Sequence, residues 1–246
     1  MARRVHVPAL HVGRLSLPAT EAHHVRDVLR LTVGDALELF DADGRTAAAR
    51  VVAASSDGVD VDVSAVAVAD RPAVALTVAA AVPKGDRADW MVEKLSELGV
   101  ARFVPLAAAR SVVLPGGRNK IDRWERIAVE SAKQCRRPGV MVVDAVTPLA
   151  DVLRAGTGWV LSTGPDVMPA GRLVRDVAAE LTVLVGPEGG WTADELAACA
   201  AAGWTAVGLG RTVLRVETAA VAVAAVVACG SGAPSDPLSP GRVARG

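Results

Sequence analysis

Cysteine, histidine and surplus charge are scarce in this sequence, and each scarcity excludes something. The three cysteines, Cys135, Cys199 and Cys229, lie far apart, and none stands in a C-x-x-C spacing. So sparse and odd a set predicts reduced, buried thiols rather than a disulfide framework. All four histidines fall before residue 25, which leaves no His/Cys cluster for zinc, so no metal is expected. Basic and acidic residues balance to a formal net charge of zero. The whole-molecule field therefore does not draw in nucleic acid, although local basic patches survive overall neutrality. Long apolar runs are missing too. The Ala/Val-rich stretch Ala219–Cys229 is shorter than the roughly 20 residues a membrane-spanning helix needs. The opening Met-Ala-Arg-Arg lacks the apolar core of a signal peptide. A cytoplasmic protein without membrane association is expected. Neither a G-x-S-x-G elbow nor a glycine loop ending in Lys-Ser/Thr occurs, which argues against the common hydrolase fold and the phosphate-cradling P-loop.

What is present reads as a soluble globular chain. Hydrophobic residues make up 51% and charged residues 22% of the 246, enough for one large core or two small ones. Up to about residue 70 the pattern is mainly short strands: Ala36–Phe40, Thr46–Ala54 and Val59–Val68, separated by Asp/Gly and Ser/Gly turns. Val59, Val61 and Val63 share one face of the third strand, with Asp60 and Asp62 on the other. Thr20–Leu31 reads as a helix. These features predict a small β-barrel, ending at Asp70-Arg-Pro72. From residue 73 strands alternate with helices, the rhythm of a parallel sheet. Expected helices are Arg87–Leu98, one capped by Asn119 and stopping near Pro138, Thr192–Ala202, and the nearly all-apolar Thr218–Cys229. The last stretch, 231–246, is rich in Pro, Gly and Ser and reads as a disordered tail.

The stretch around which the rest is organised is Leu181–Trp191, LTVLVGPEGGW. An unbroken apolar run fits a strand covered on both faces. The glycines Gly186, Gly189 and Gly190 then permit a close backbone approach, and Thr192-Ala-Asp-Glu195 has the pattern of a capping box. Strand, glycine loop and capped helix form the ligand-binding corner of open α/β sheets, although a plain tight turn is an equal reading of these residues alone. A second loop, Leu209–Thr218, follows another buried strand and carries Arg211, Arg215 and Glu217 just before the apolar helix. Charges there are costly unless paired or used, and an Arg–Glu structural bridge stays open beside a functional role. Gly208-Leu-Gly-Arg-Thr-Val213 begins like a dinucleotide fingerprint but has Val at its sixth position.

LVGPEGGW followed by LGRTVLRVETAA resembles the bacterial 16S rRNA uracil-N3 methyltransferases of the SPOUT class. His24-Val-Arg-Asp-Val-Leu-Arg30, Lys84-Gly-Asp-Arg87, Glu93-Lys-Leu-Ser-Glu-Leu-Gly99, and Glu130, Gln134 and Arg136 extend the resemblance over nearly the whole chain before the tail. It implies an α/β SPOUT trefoil-knot domain with a mainly parallel sheet over residues 73–230, behind a PUA-like RNA-binding barrel over 1–71. It implies a homodimer that uses S-adenosylmethionine (SAM) to methylate N3 of one uridine in helix 44 of 16S rRNA, within the 30S subunit. Cofactor residues implied are Leu161, Thr163, Gly186, Pro187, Glu188, Gly189, Gly190, Leu209, Gly210, Arg211, Val213 and Leu214. Ser162-Thr-Gly-Pro165 departs from the His-Pro or Glu-Pro pair of many relatives. Arg215 is assigned to the uracil oxygens, and Glu217 as base or orienter. Arg3, Arg4, Arg26 and Arg30 in the barrel, with Lys84, Arg87, Arg136 and Arg137, form the expected RNA-contacting set. Trp90 and Trp124 are expected in the core or at a dimer interface. An RNA-binding factor without catalysis and a nucleotide-dependent oxidoreductase are the competing readings.

Overall fold

The computed structural model describes residues 3–70, 72–114, 117–164 and 167–230; the tail expected to be disordered, and Pro165, lie outside them. Two compact units form, one from residues up to 70 together with 132–140, the other from 72–131 and from 141 onward.

The first unit contains β1 (Arg4–His6), β2 (Gly13–Ser16), α1 (Ala19–His23), β3 (Ala36–Phe40), β4 (Arg45–Ser55), β5 (Gly58–Val63) and β6 (Ala67–Val68). They make one six-stranded sheet in the order β1-β3-β4-β5-β2, with β6 on β4. Alternation explains which faces turn inward. Val59, Val61 and Val63 are buried and join Val5, Leu15, Leu39 and Val51 in a single core, while Asp60 stays outside and accepts from Arg14 and Ser16. The expected strand Val59–Val68 is broken, because β5 leaves β4 at Val63 and β6 returns to pair with the start of β4. Nor is Thr20–Leu31 one α-helix. After α1 the chain widens into a π-turn over His24–Val28, closed by Leu29 N–H to the His24 carbonyl at 2.9 Å. That extra residue per turn lets Val25 and Leu31 both reach the core. Arg30, at φ 54°, then ends the turn in the left-handed region.

The second unit opens with β7 (Ala75–Ala80), α2 (Arg87–Glu97), β8 (Arg102–Ala107) and α3 (Arg118–Cys135). It continues through β9 (Val142–Val143), β10 (Thr147–Pro148), α4 (Leu149–Ala155), β11 (Gly158–Leu161), β12 (Met168–Pro169) and α5 (Ala170–Leu173). Last come β13 (Glu180–Val185), α6 (Ala193–Ala201), β14 (Thr205–Gly208) and α7 (Val216–Gly230). The strand order is β10-β8-β7-β13-β11-β14-β12, with β9 on β8, and every pairing is parallel. Leu181–Val185 thus sits in the middle of a sheet covered on both faces, which is why its residues need not alternate. One face buries Ala79, Val160 and Leu184 with Cys199 of α6 and Leu149 of α4. On the strands β7 and β13 lies α7, which also packs on α2. Burying Val223, Ala224 and Val227 there stabilises by about 1 kcal/mol or more per side chain.

Two helix boundaries differ from expectation. Gly117, at φ 85°, turns the chain directly before α3, so the helix starts at Arg118 and Asn119 lies inside its first turn rather than capping it. It ends at Cys135, short of Pro138, where Arg136 takes the left-handed conformation (φ 59°) that terminates many helices. Trp124 is completely buried against Phe103, with ring centroids 5.7 Å apart, whereas Trp90 is 45% exposed. No described helix is long and apolar enough to cross a membrane.

Candidate active site

The carboxyl ends of β11, β13 and β14 run into three loops that enclose a cleft of about 890 Å³. This is where open parallel sheets place ligands, and the volume is that of a small-molecule site. Leu161, Thr163 and the intervening Ser162 form the first wall, Gly186–Glu188 with Gly190 and Trp191 the second, and Leu209–Gly210 with Thr212–Arg215 the third. Of the residues assigned to the cofactor, all line the cleft except Gly189 and Arg211.

Local sequence explains the loop after β13. A Cβ on Gly186 would stand 2.7 Å from the Trp191 ring, so only glycine lets the indole fold back over the strand end. The Trp191 Nε1 then donates to the Leu161 carbonyl at 2.9 Å, joining the second wall to the first. Gly190, at φ 70°, makes the turn that leads into α6. There the expected capping box is complete: Thr192 Oγ1 accepts from the Glu195 N–H, and the Glu195 carboxylate accepts from the Thr192 N–H. Glu195 also takes the Ala109 N–H at 2.7 Å, while Arg110 donates to the Gly189 carbonyl at 2.8 Å. Trp191 and Arg110 brace the cleft, and neither is among the site residues expected from sequence. Trp191 stands within the glycine motif and was open to notice; no local signal marks Arg110.

Charges gather on one side. Arg87, the first residue of α2, and Glu188 both line the cleft, and Arg87 Nη2 lies 3.2 Å from Glu188 Oε1. Arg87 Nη1 reaches Glu217 Oε1 at 3.4 Å, and its Nε donates to the Lys84 carbonyl at 3.4 Å. Arg215 is exposed and lines the cleft from the third loop. Glu217 does not: it is 6% exposed, stands in the first turn of α7, and is absent from the cleft lining. Its Oε2 is buried without a hydrogen-bond partner. The Arg–Glu bridge left open by the sequence therefore exists, but through Arg87 rather than Arg215.

The other expected RNA contacts are scattered. Arg3 and Arg30 are exposed. Arg26 is held by Asp27 and the Ser55 carbonyl, and Arg136 pairs with Glu38 at 2.9 Å. Lys84 is exposed, while Arg137 is partly buried. Arg4 is a correction. It is 8% exposed, donates to the Ala132 and Arg137 carbonyls at 2.8 Å, and lies over the Phe40 ring. Its guanidinium holds the first unit together and is not offered to solvent.

This geometry can now be set beside known proteins. The RNA methyltransferase domain matches residues 70–228, and the RNA methyltransferase PUA domain residues 17–64. Fold and cleft together define a SPOUT-class RNA methyltransferase with a PUA domain at its N-terminal end. The ribosomal RNA small subunit methyltransferase E of Mycobacterium bovis is 37% identical over 225 residues, spanning 84% of this chain and 83% of that protein. That of Bacillus subtilis is 31% identical over 218 residues, spanning 83% and 85%. The crystal structure of the Neisseria gonorrhoeae enzyme of the same name, bound to S-adenosylmethionine, superposes with a TM-score of 0.82 at 28% identity, covering 92% of this chain and 96% of that one. The chain belongs to the ribosomal RNA small subunit methyltransferase E family.

Proposed function

We propose that this protein transfers a methyl group from SAM to N3 of a uridine in helix 44 of 16S rRNA within the 30S subunit. The observation that carries the reading is the glycine-walled cleft at the ends of β11, β13 and β14 in a chain of this family. Its volume accommodates a nucleoside-sized ligand. The site also fits SAM in its chemistry: Leu161, Gly186 and Leu209–Gly210 line the cleft, where backbone N–H and C=O groups can read adenine, and Glu188 offers a carboxylate to a cationic ligand. When bound, SAM supplies an activated methyl group whose bonding pair returns to sulfur as the acceptor nitrogen takes the carbon.

The protein's part is positioning and charge. Holding donor and acceptor in line does most of the work in such a transfer. Uracil N3 must lose its proton to become nucleophilic, and the electron pair left behind spreads onto the two flanking carbonyl oxygens. Arg215, exposed on the third wall, is assigned to those oxygens. The target base is turned out of its helix to reach the cleft, and Arg3, Arg26, Arg30 and Arg136 of the first unit supply phosphate contacts to the RNA. We place the active form in the cytoplasm as a homodimer; Trp90, Val112 and Leu114 are exposed apolar side chains of the methyltransferase unit that such pairing would cover.

Single-turnover methylation of unmethylated small subunits tests the assignment. Arg215→Ala is expected to slow the reaction about 100-fold, the usual loss of one oxyanion donor. An unchanged rate removes Arg215 from the site.

A further inference from the structure

We propose that Arg87 is a second catalytic cation for the acceptor base, and that Glu217 is its positioning residue rather than a proton acceptor; this rests on the uracil-N3 reading above. Arg87 was expected to track phosphates, and its surroundings argue otherwise. Two carboxylates, Glu217 and the cleft-lining Glu188, flank its guanidinium and tie it to the cleft, so it is not free to follow an RNA backbone. The cation lines the same cleft as Arg215, from a different element, the start of α2.

The three contacts that hold Arg87 are 3.2 to 3.4 Å long, whereas charge-assisted bonds close to about 2.7–2.9 Å when fully made. A guanidinium carries five N–H donors, so these contacts orient it without consuming it. Such long geometry is common in unliganded sites and tightens when the reacting group arrives. Glu217 is placed to serve this role through Oε1. Its side chain is buried, it is off the cleft surface, and its contact towards the cleft runs through Arg87. A base from which a cation separates the substrate has no path to the N3 proton. That proton leaves to water instead. Its electron pair stays on the ring, delocalised over both carbonyl oxygens, and then forms the bond to the methyl carbon. Two arginines lining one cleft are suited to the two oxygens of that anion.

The test uses unmethylated small subunits, saturating SAM, single turnovers and a range of pH, with subunits carrying either uracil or 5-fluorouracil, whose N3 is the more acidic. Arg87→Ala and Arg87→Gln are expected to slow methyl transfer about 100-fold while SAM affinity, measured by calorimetry on the protein alone, moves less than about 3-fold. The deficit should shrink at alkaline pH and in 5-fluorouracil subunits, a rescue that a merely structural lesion would not show. Arg87→Lys should recover part of the rate. Glu217→Gln, which weakens the hold on Arg87 without removing the cation, should lose an intermediate part of the rate, about 10-fold, with the same rescue at alkaline pH and in 5-fluorouracil subunits. The proposal is overturned if the Arg87 variants weaken SAM binding yet turn over normally at saturation, or if Glu217→Gln loses as much as Arg87→Ala. Equal yields of 3-methyluridine from Arg87→Ala and parent overturn it alone; no 3-methyluridine from the parent overturns the uracil reading as well.

Discussion

Arg87 and Asp89 open the same helix, α2, and head charged clusters built to opposite ends. Asp89 is closed: Lys120 and the Trp124 Nε1 donate to one oxygen at 2.9 and 2.8 Å, and Arg123 to the other at 2.7 Å. Arg87 is open, with long contacts to two acids and a position on the cleft. The first cluster brings α3 onto α2 and satisfies a buried indole; the second leaves donors uncommitted beside a ligand-sized space. Polar groups satisfied at short range rigidify a fold, and those left under-satisfied mark where a ligand completes them.

That contrast can be broken from either side. The largest effect is expected at Gly186, whose replacement by Val drives a side chain into the Trp191 ring, 2.7 Å from the first added carbon. SAM affinity should fall at least about 100-fold by calorimetry, because two walls of the cleft meet at that indole. Normal binding by the variant would show that the Trp191 brace is dispensable. Asp89→Ala should do the reverse. It strands a buried indole N–H and two cations, which costs about 2–3 kcal/mol of unfolding free energy, read by urea denaturation, while SAM affinity of the folded protein stays put. Loss of binding without loss of stability would merge the two clusters into one.

A smaller effect follows from protonation. Burial opposes ionisation of Asp89, but hydrogen bonds from Lys120 and Trp124 and the charges of Lys120 and Arg123 outweigh it, holding the carboxyl below its ordinary value. A depressed folded-state value contributes stability that is present above the unfolded value, near 3.9, and is lost as pH falls through the folded one. The parent should therefore lose melting temperature more steeply than Asp89→Asn below about pH 4. Parallel acid limbs would deny Asp89 that role.

How much of this was legible in the sequence depends on distance along the chain. Leu181–Val185, the Thr192 capping box and the inward valines of β5 are local patterns, and each stands where its residues place it. The cleft loops could be found because glycines flag close backbone approach. Arg87 and Glu217 could not be paired beforehand, since 130 residues separate them and only the packing of α7 on α2 brings them together. Arg4 misled for a related reason. A cation near the start of a chain reads as surface charge, and nothing local announces that two carbonyls at 132 and 137 will surround it. The π-turn at His24–Val28 hid because a single added residue leaves helical periodicity almost intact.

The central claim is that the glycine-walled cleft methylates a uridine at N3. Methyl-labelled SAM should be incubated with the protein and with small subunits from cells lacking it, and the RNA digested to nucleosides. Label is predicted in 3-methyluridine, at one site per subunit, and in none of the subunits already modified. Label in any other nucleoside, or none at all, would contradict the account.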